Sequence, residues 1–270
     1  MNQPGRTPQE QDFPWWLVVA GLIALGLAGI ILVSPLYAQV FAIVSKGLWI
    51  TVWVSLLAFL LASALGLVLA MMSLSEHIVL RQAARFYVEI IRGVPLLVLL
   101  FYIAFVGAPA LIWLVNLAAS PLQQRGWMEP LLVRDIPLIW RAVSALMLAY
   151  AAFLAEIFRA GIEAVPVGQL EAAKALGLKR YQRFRRIVAP QALRIILPPY
   201  GNDFISMVKD SSLVSVLGVV DITQMGKVYA AGSFRFFETY SIVAYVYLLL
   251  TISLSLLLRR LERRLNNSRR

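Results

Sequence analysis

GLWITVWVSLLAFLLASALGLVLAMMSLS, residues Gly47–Ser75, is 29 consecutive residues without a charge. A helix needs about 20 apolar residues to cross the hydrocarbon core of a bilayer, so this stretch predicts a spanning helix. Three other charge-free intervals are long enough by the same ruler: Phe13 to Ser45, Gly93 to Gln124 and Thr239 to Leu258. The whole chain agrees: 60% of its 270 residues are hydrophobic, 14% are charged, and the mean hydropathy is +0.77, which describes an all-α polytopic membrane protein. With no Cys and a single His (His77), the chain has no disulfide framework, thiol nucleophile or Cys/His metal cluster, and a Ser-His-Asp triad would have to use His77. The one Gly-Lys pair, Gly226-Lys227, is followed by Val228 and has Asp221 where a phosphate-binding loop needs glycine. No catalytic residue and no metal ligand is therefore expected, and no cofactor of the chain's own.

Within the third interval Gly107 and Pro109 predict the end of a helix begun near Phe86, leaving Leu111 to Leu117 as a short interfacial piece. Two more apolar intervals are interrupted by charge: Ile139 to Ile162 carries Arg141, Glu156 and Arg159, and Ala192 to Val220 carries Arg194, Asp203, Lys209 and Asp210. Counting both gives about six spans. The opening stretch resembles a retained helix rather than a signal peptide, because Arg6 is offset by Glu10 and Asp12, the apolar run is long, and no A-x-A site follows. Most of the 25 Lys and Arg fall between Ser73 and Arg92, between Arg159 and Arg194, and after Leu258. The positive-inside rule makes that side cytoplasmic and places both termini there. The net charge of +11 then belongs to inner loops and membrane lipid rather than to a nucleic-acid surface.

The longest of these loops, residues 163–190, reads Glu-Ala-Val-Pro-Val-Gly-Gln-Leu-Glu-Ala-Ala-Lys-Ala-Leu-Gly-Leu-Lys-Arg-Tyr-Gln-Arg-Phe-Arg-Arg-Ile-Val-Ala-Pro. Pro166 suits a helix start, Gly177 breaks the helix, and a second amphipathic piece should stop before Pro190. In that piece Tyr181, Phe184 and Val188 share one face and Arg180, Arg183 and Arg186 an adjacent one. Helices this short need something to pack on, either the bilayer interface or a partner protein. Glu171 can pair with a basic residue of a partner or cap its own helix.

Glu171-Ala172-Ala173, then Gly177, Ile187 and Pro190, resembles the EAA signature of the membrane subunits of bacterial ABC importers, with Ala189 where that pattern usually has Leu. Glu89-Ile-Ile-Arg-Gly-Val-Pro-Leu-Leu97, Leu197-Pro-Pro-Tyr-Gly-Asn-Asp-Phe-Ile205 and Lys209-Asp-Ser-Ser-Leu-Val-Ser215 look like its polar amino acid branch. The resemblance covers about Lys46 to Arg264 and implies a five-helix type I importer core over residues 45–264. An extra N-terminal helix within residues 1–44 precedes that core, and a basic tail, 265–270, follows it. It also implies a coupling loop, using Glu171, Ala172, Ala173, Gly177, Ile187, Pro190 and the arginine face of Arg180 and Arg183, that inserts into a separate ATPase subunit holding the ATP. A second permease subunit, identical or paralogous, and an extracytoplasmic substrate-binding protein would complete an amino acid importer of the bacterial inner membrane.

Charges inside spans cost about 2.5–3.5 kcal/mol each on insertion scales and need a partner or a task. Glu156 is the first candidate for the substrate pathway, with an internal ion pair to Arg159, three residues on, as the alternative. Asn202 and Asp203 follow Pro198-Pro199, where a bent or newly started helix would line a cavity. Lys209 and Asp210 are further candidates for that pathway, with a structural ion pair as the favoured alternative, while Asp221 and Lys227 should be solvated near the outer end. Trp15, Trp16, Trp113, Trp127 and Trp140 suit interfacial belts. An importer of another small solute, an ion-coupled secondary transporter using Glu156, Asp203 and Asp210, and a non-transporting assembly protein remain as alternatives on these residues.

Overall fold

The computed structural model describes residues Trp15–Asn267; the expectations that rest on residues 1–14 and 268–270, including the charges of Arg6, Arg269 and Arg270, lie outside the described residues. The fold is all-α. Its elements are α1 (Trp15–Val33), α2 (Pro35–Val44), α3 (Leu48–Ser73), α4 (Ile78–Gly93), α5 (Leu96–Tyr102), α6 (Ala108–Gln124), α7 (Leu138–Glu163), α8 (Val167–Ala175), α9 (Arg180–Arg183), α10 (Ala189–Asp210), α11 (Ile222–Ser233) and α12 (Phe236–Asn267). Among the described residues, four runs are long and apolar enough to cross a membrane: Pro35–Ser73, Leu96–Gln124, Leu138–Glu163 and Phe236–Glu262. The shorter apolar Leu17–Val33 and the more charged α10 bring the number of spans to six.

Helix α3 packs on α7 along most of its length, with α10, α4 and α5 around the pair. The contact is made by small residues. A Cβ on Gly66 would sit 3.0 Å from Leu154 Cβ and 3.1 Å from the Ala151 carbonyl oxygen, and Ala58, Ala62, Ala151 and Ala155 are all buried beside it. Where lipid tails remove the hydrophobic drive between helices, close backbone approach of this kind supplies the dispersion that holds them. Helix α1 is apolar on all sides and exposes Leu22, Ile23, Leu25 and Leu32, as expected of a helix that meets lipid rather than a core.

Three expectations are corrected. Gly107 and Pro109 do not end a helix: a π turn, Ile103–Gly107, joins α5 to α6 and makes Leu96–Gln124 one continuous run. The break instead falls at Val94-Pro95, so the helix expected from Phe86 is two helices, of which α4 is strongly amphipathic. The second piece of the 163–190 loop does not stop before Pro190 either, since Arg180 to Asp210 is helical throughout, again through a π turn, Phe184–Val188. Proline clashes with the carbonyl four residues back and lacks an N–H; a π turn just before it widens the helix and absorbs both. The segment boundary expected at Val44 lies inside the run Pro35–Ser73, and α2 is part of the core: Val40 and Val44 pack with Ile222, Ile242, Val243 and Val246.

At the end of the bundle remote from the 163–190 loop, Gly47 lies against the Asp221-Ile222 peptide so closely that a Cβ would overlap that backbone. Gly47→Ala should therefore push α11 off α3 and cost about 1–3 kcal/mol, read as a lower melting temperature of the detergent-solubilised protein. Gly26→Ala, which meets open space, should leave it unchanged.

Candidate functional site

The loop after α7 is clipped to the bundle by a small apolar cluster, Val165, Val188, Ala192 and Ile196, with Ile162, Leu170 and Tyr200 against it. Gly161 makes the clip possible, because a Cβ there would overlap the Ile196 side chain. Pro166 precedes the first turn of α8, and Ala173 turns inward while Glu171 and Ala172 face out. The helix ends as a Schellman motif: Leu178 N–H donates to the Ala173 carbonyl at 3.1 Å and Gly177 N–H to the Lys174 carbonyl at 3.0 Å. Gly177 has φ +77°, the left-handed conformation that motif requires and glycine supplies without steric cost.

Glu171 stands in the second turn of α8, too late to cap it, and makes no hydrogen bond or ion pair among the described residues. Gln191 Nε2 ties the two limbs together, donating to Gln169 Oε1 at 2.6 Å and to the Ile187 carbonyl at 2.9 Å. Between the limbs runs a groove of about 310 Å³ lined by Ala172, Ala173, Leu176, Leu178, Ile187 and Gln191. Leu176, 81% exposed, projects beyond it. Pro190 lies at the start of α10, and Arg180 and Arg183 face the α3–α4 turn rather than the Glu171 surface.

In the bundle, Arg159 donates to both oxygens of Glu156, at 2.7 and 3.2 Å, and to Glu163 at 2.6 Å. The Glu156–Arg159 pair is about one-third exposed, so it is open from the side of the bundle. Arg92 lies over the Phe153 ring at 5.9 Å, one helical turn from Glu156, a cation–π contact that adds to its place at the end of α4. Pro198 and Pro199 stay inside α10, which neither starts nor stops there.

The four polar residues of α10 divide by helical geometry. Asp203 and Asp210, seven residues apart, share the stripe that faces α7, and Tyr150 hydroxyl donates to Asp210 Oδ2 at 2.7 Å. Asp203 is half-buried and unpaired among the described residues; Asn202 and Lys209, also seven apart, are exposed. Lys209 and Asp210 are thus not an ion pair, because neighbours on a helix point about 100° apart.

Asp221 corrects the expectation of a solvated acid. It is fully buried, caps α11 by accepting from Gln224 N–H at 2.8 Å, and accepts from Tyr247 hydroxyl at 3.1 Å; Thr51 Oγ1 accepts from Ile222 N–H at 3.2 Å. An Asp directly before a helical run is a capping signal, and that much was open to sequence reading. Arg141, also buried, is satisfied by the carbonyls of Val133 and Ile136.

Residues 62–267 match the family described as "Binding-protein-dependent transport system inner membrane component". The chain belongs to that family. Among curated relatives, the permease is 38% identical over 218 residues to the probable amino-acid permease protein YxeN of Bacillus subtilis, covering 81% of this chain and 89% of the relative. It is 38% identical over 224 residues to the octopine transport system permease protein OccM of Rhizobium radiobacter, covering 83% and 86%. With the glutamine transport system permease protein GlnP of Escherichia coli K12 it shares 34% over 220 residues, covering 82% and 91%. A crystal structure of an amino acid ABC transporter with histidines superimposes with a TM-score of 0.68 at 38% identity, over 84% of this chain and 95% of that one. The inward-facing MetNI methionine ABC transporter shares the fold, with a TM-score of 0.63 at 18% identity over 83% and 96%. The permease is an ABC importer subunit of the polar amino acid branch, a multi-pass membrane protein.

Replacing Asp221 with Ala should remove the α11 cap and the Tyr247 partner together, lowering stability by roughly 1–2 kcal/mol. Asp221→Asn, which keeps an acceptor, should recover most of the lost melting temperature in the same thermal assay.

Proposed function

We propose that the permease forms half of an alternating-access pathway for polar amino acids and is driven by a separate ATPase subunit that docks on α8. The observation that carries this reading is the combination of a Glu171 that faces outward, unpaired among the described residues, on a nine-residue helix with the apolar attachment of that helix to α7 and α10. A helix of nine residues does not persist alone in water, so its exposed Val167, Glu171 and Leu176 are suited to insertion into a partner's cleft. Motion imposed on α8 would pass through Val165 and Ile196 to the two helices that carry Glu156 and Asp203.

Substrate would meet the one-third-exposed Glu156 carboxylate, where an ammonium or cationic side chain competes with Arg159 for the same oxygens. Asp203 would serve as a second acceptor and Asn202 would read a carboxylate or amide. The pathway would be completed by a second copy or a paralogue, with substrate delivered by an extracytoplasmic binding protein and ATP held by the ATPase. The charge distribution supports a bacterial inner-membrane orientation with both termini cytoplasmic, so that α8 lies on the ATP side. The names of the relatives, which include glutamine and octopine permeases, support amino acids and their derivatives as the cargo class.

The test is reconstitution of the permease with its co-expressed ATPase and binding protein in proteoliposomes, with ATP hydrolysis and uptake measured against a panel of amino acids. One class should stimulate both. Gly177→Asp, which adds a negative charge to the docking loop, should abolish uptake and its link to hydrolysis while the protein still inserts, whereas Gly177→Asn, equally tolerant of the left-handed conformation but uncharged, should keep both. Glu156→Gln should lower uptake of cationic substrates at least tenfold with basal hydrolysis retained, the scale of one lost charge-assisted bond. Failure to associate with any ATPase, together with uptake driven by an ion gradient, would sink the reading.

A further inference from the structure

Beside the docking helix lies a cavity of about 830 Å³ between the α3–α4 turn and the second limb of the loop. Its wall is apolar where Leu74, Ile162 and Phe184 meet, and its rim is basic, with Arg180 and Arg183 opposed by Glu76 as the one carboxylate among its lining residues. The turn beneath it is fixed by Arg81, which donates to the Ser75 carbonyl at 3.2 Å. A second cavity, of about 400 Å³, shares Met71 and Ser75 with the first and runs along Leu67, Val68 and Leu80. Those three side chains are exposed, on the outer face of α3 and α4 where a spanning helix meets lipid. The first cavity sits where two spans end, α3 at Ser73 and α7 at Glu163, which is the depth of the headgroups.

Arg183 is the informative residue. It is half-buried and lines the cavity together with Arg180, with its Nε turned away from solvent, and a guanidinium presents terminal nitrogens in a fork matched to phosphate oxygens. We propose that the two cavities together bind one anionic phospholipid, its phosphate between Arg180 and Arg183 and one acyl chain along the Leu67, Val68 and Leu80 groove. A free phosphate would use the rim and leave the apolar groove without a purpose; a phospholipid uses both, and the bilayer supplies it at the right depth. The bound lipid would link the α3–α4 turn to the limb that continues into α10, so that leaflet composition bears on the stiffness of the coupling loop. The inference removes Arg180 and Arg183 from the ATPase contact and does not use α8; because the complex is tested, it rests on the ATPase reading, and failure of the complex to form is distinct from loss of lipid by a complex that has formed.

The test is mass spectrometry of phospholipid retained by the complex of permease and ATPase after exhaustive detergent washing, followed by back-titration with phosphatidylglycerol, phosphatidylcholine and inorganic phosphate. The wild-type complex should retain phosphatidylglycerol over phosphatidylcholine. The double variant Arg180→Gln/Arg183→Gln should lose that retention about tenfold, the scale of lost charge-assisted bonds. Val68→Trp fills the groove while leaving both arginines intact, and should lose retention as strongly; it carries the test if the double variant fails to assemble. Equal retention by all three proteins would overturn the proposal. So would displacement of phosphatidylglycerol by millimolar phosphate, which marks a free-anion site, and so would lipid found on the isolated permease but absent from the ATPase complex, which marks a surface the ATPase covers.

Discussion

The contact of α3 with α7 is the constraint on which the rest depends. Gly66 and the alanines around it bring the two backbones together, and α7 then serves as the common wall for α4, α5 and α10. Because α7 runs the depth of the bundle, it joins two different polar problems. At its first turn Arg141 is satisfied by backbone carbonyls of the preceding loop, and at its last turns Glu156, Arg159 and Glu163 satisfy one another. Both arrangements answer the cost of charge in a poorly solvated place, by pairing within a few residues of sequence.

That locality explains what the sequence made legible. The spans follow from charge-free length, α8 from Pro166 and Gly177, and the Glu156–Arg159 pair from its three-residue spacing. Each signal is contained within a few turns of chain. The prolines were read less well, for a physical reason. Pro109 and Pro190 both follow five-residue π turns, whose extra residue makes room for the ring, and nothing in the local composition of Ile103–Gly107 or Phe184–Val188 distinguishes them from ordinary helix. At Pro95 the helix does break: Val94 and Pro95 themselves have extended backbone, and α5 starts afresh at Leu96.

Asp221 shows the other limit. Its capping bond to Gln224 is local and could be inferred, but its burial depends on Tyr247 and on the backbone approach of Gly47, remote in sequence. The same holds for Tyr150 and Asp210, sixty residues apart and joined at 2.7 Å. For the α10 acids, periodicity alone separates Asp203 and Asp210 from Asn202 and Lys209, yet which stripe faces inward is decided by the packing of Phe204 and Tyr200 on Phe59.

These contacts bear on how the loop end could act as a lever. A loop that transmits force must be stiffer than what it moves, and three independent restraints stiffen this one: the apolar clip around Val165, the Schellman ending at Gly177, and the Gln191 bridge between limbs. The helix that would receive such a force is less constrained, since α10 carries Pro198 and Pro199 and so lacks two ladder donors within its length. Asp203, half-buried and unpaired among the described residues, lies one turn beyond them. Displacement entering at Ile196 would therefore be expected to concentrate at the proline pair, turning the Asp203 and Asp210 stripe against α7 and leaving the α3–α7 contact intact.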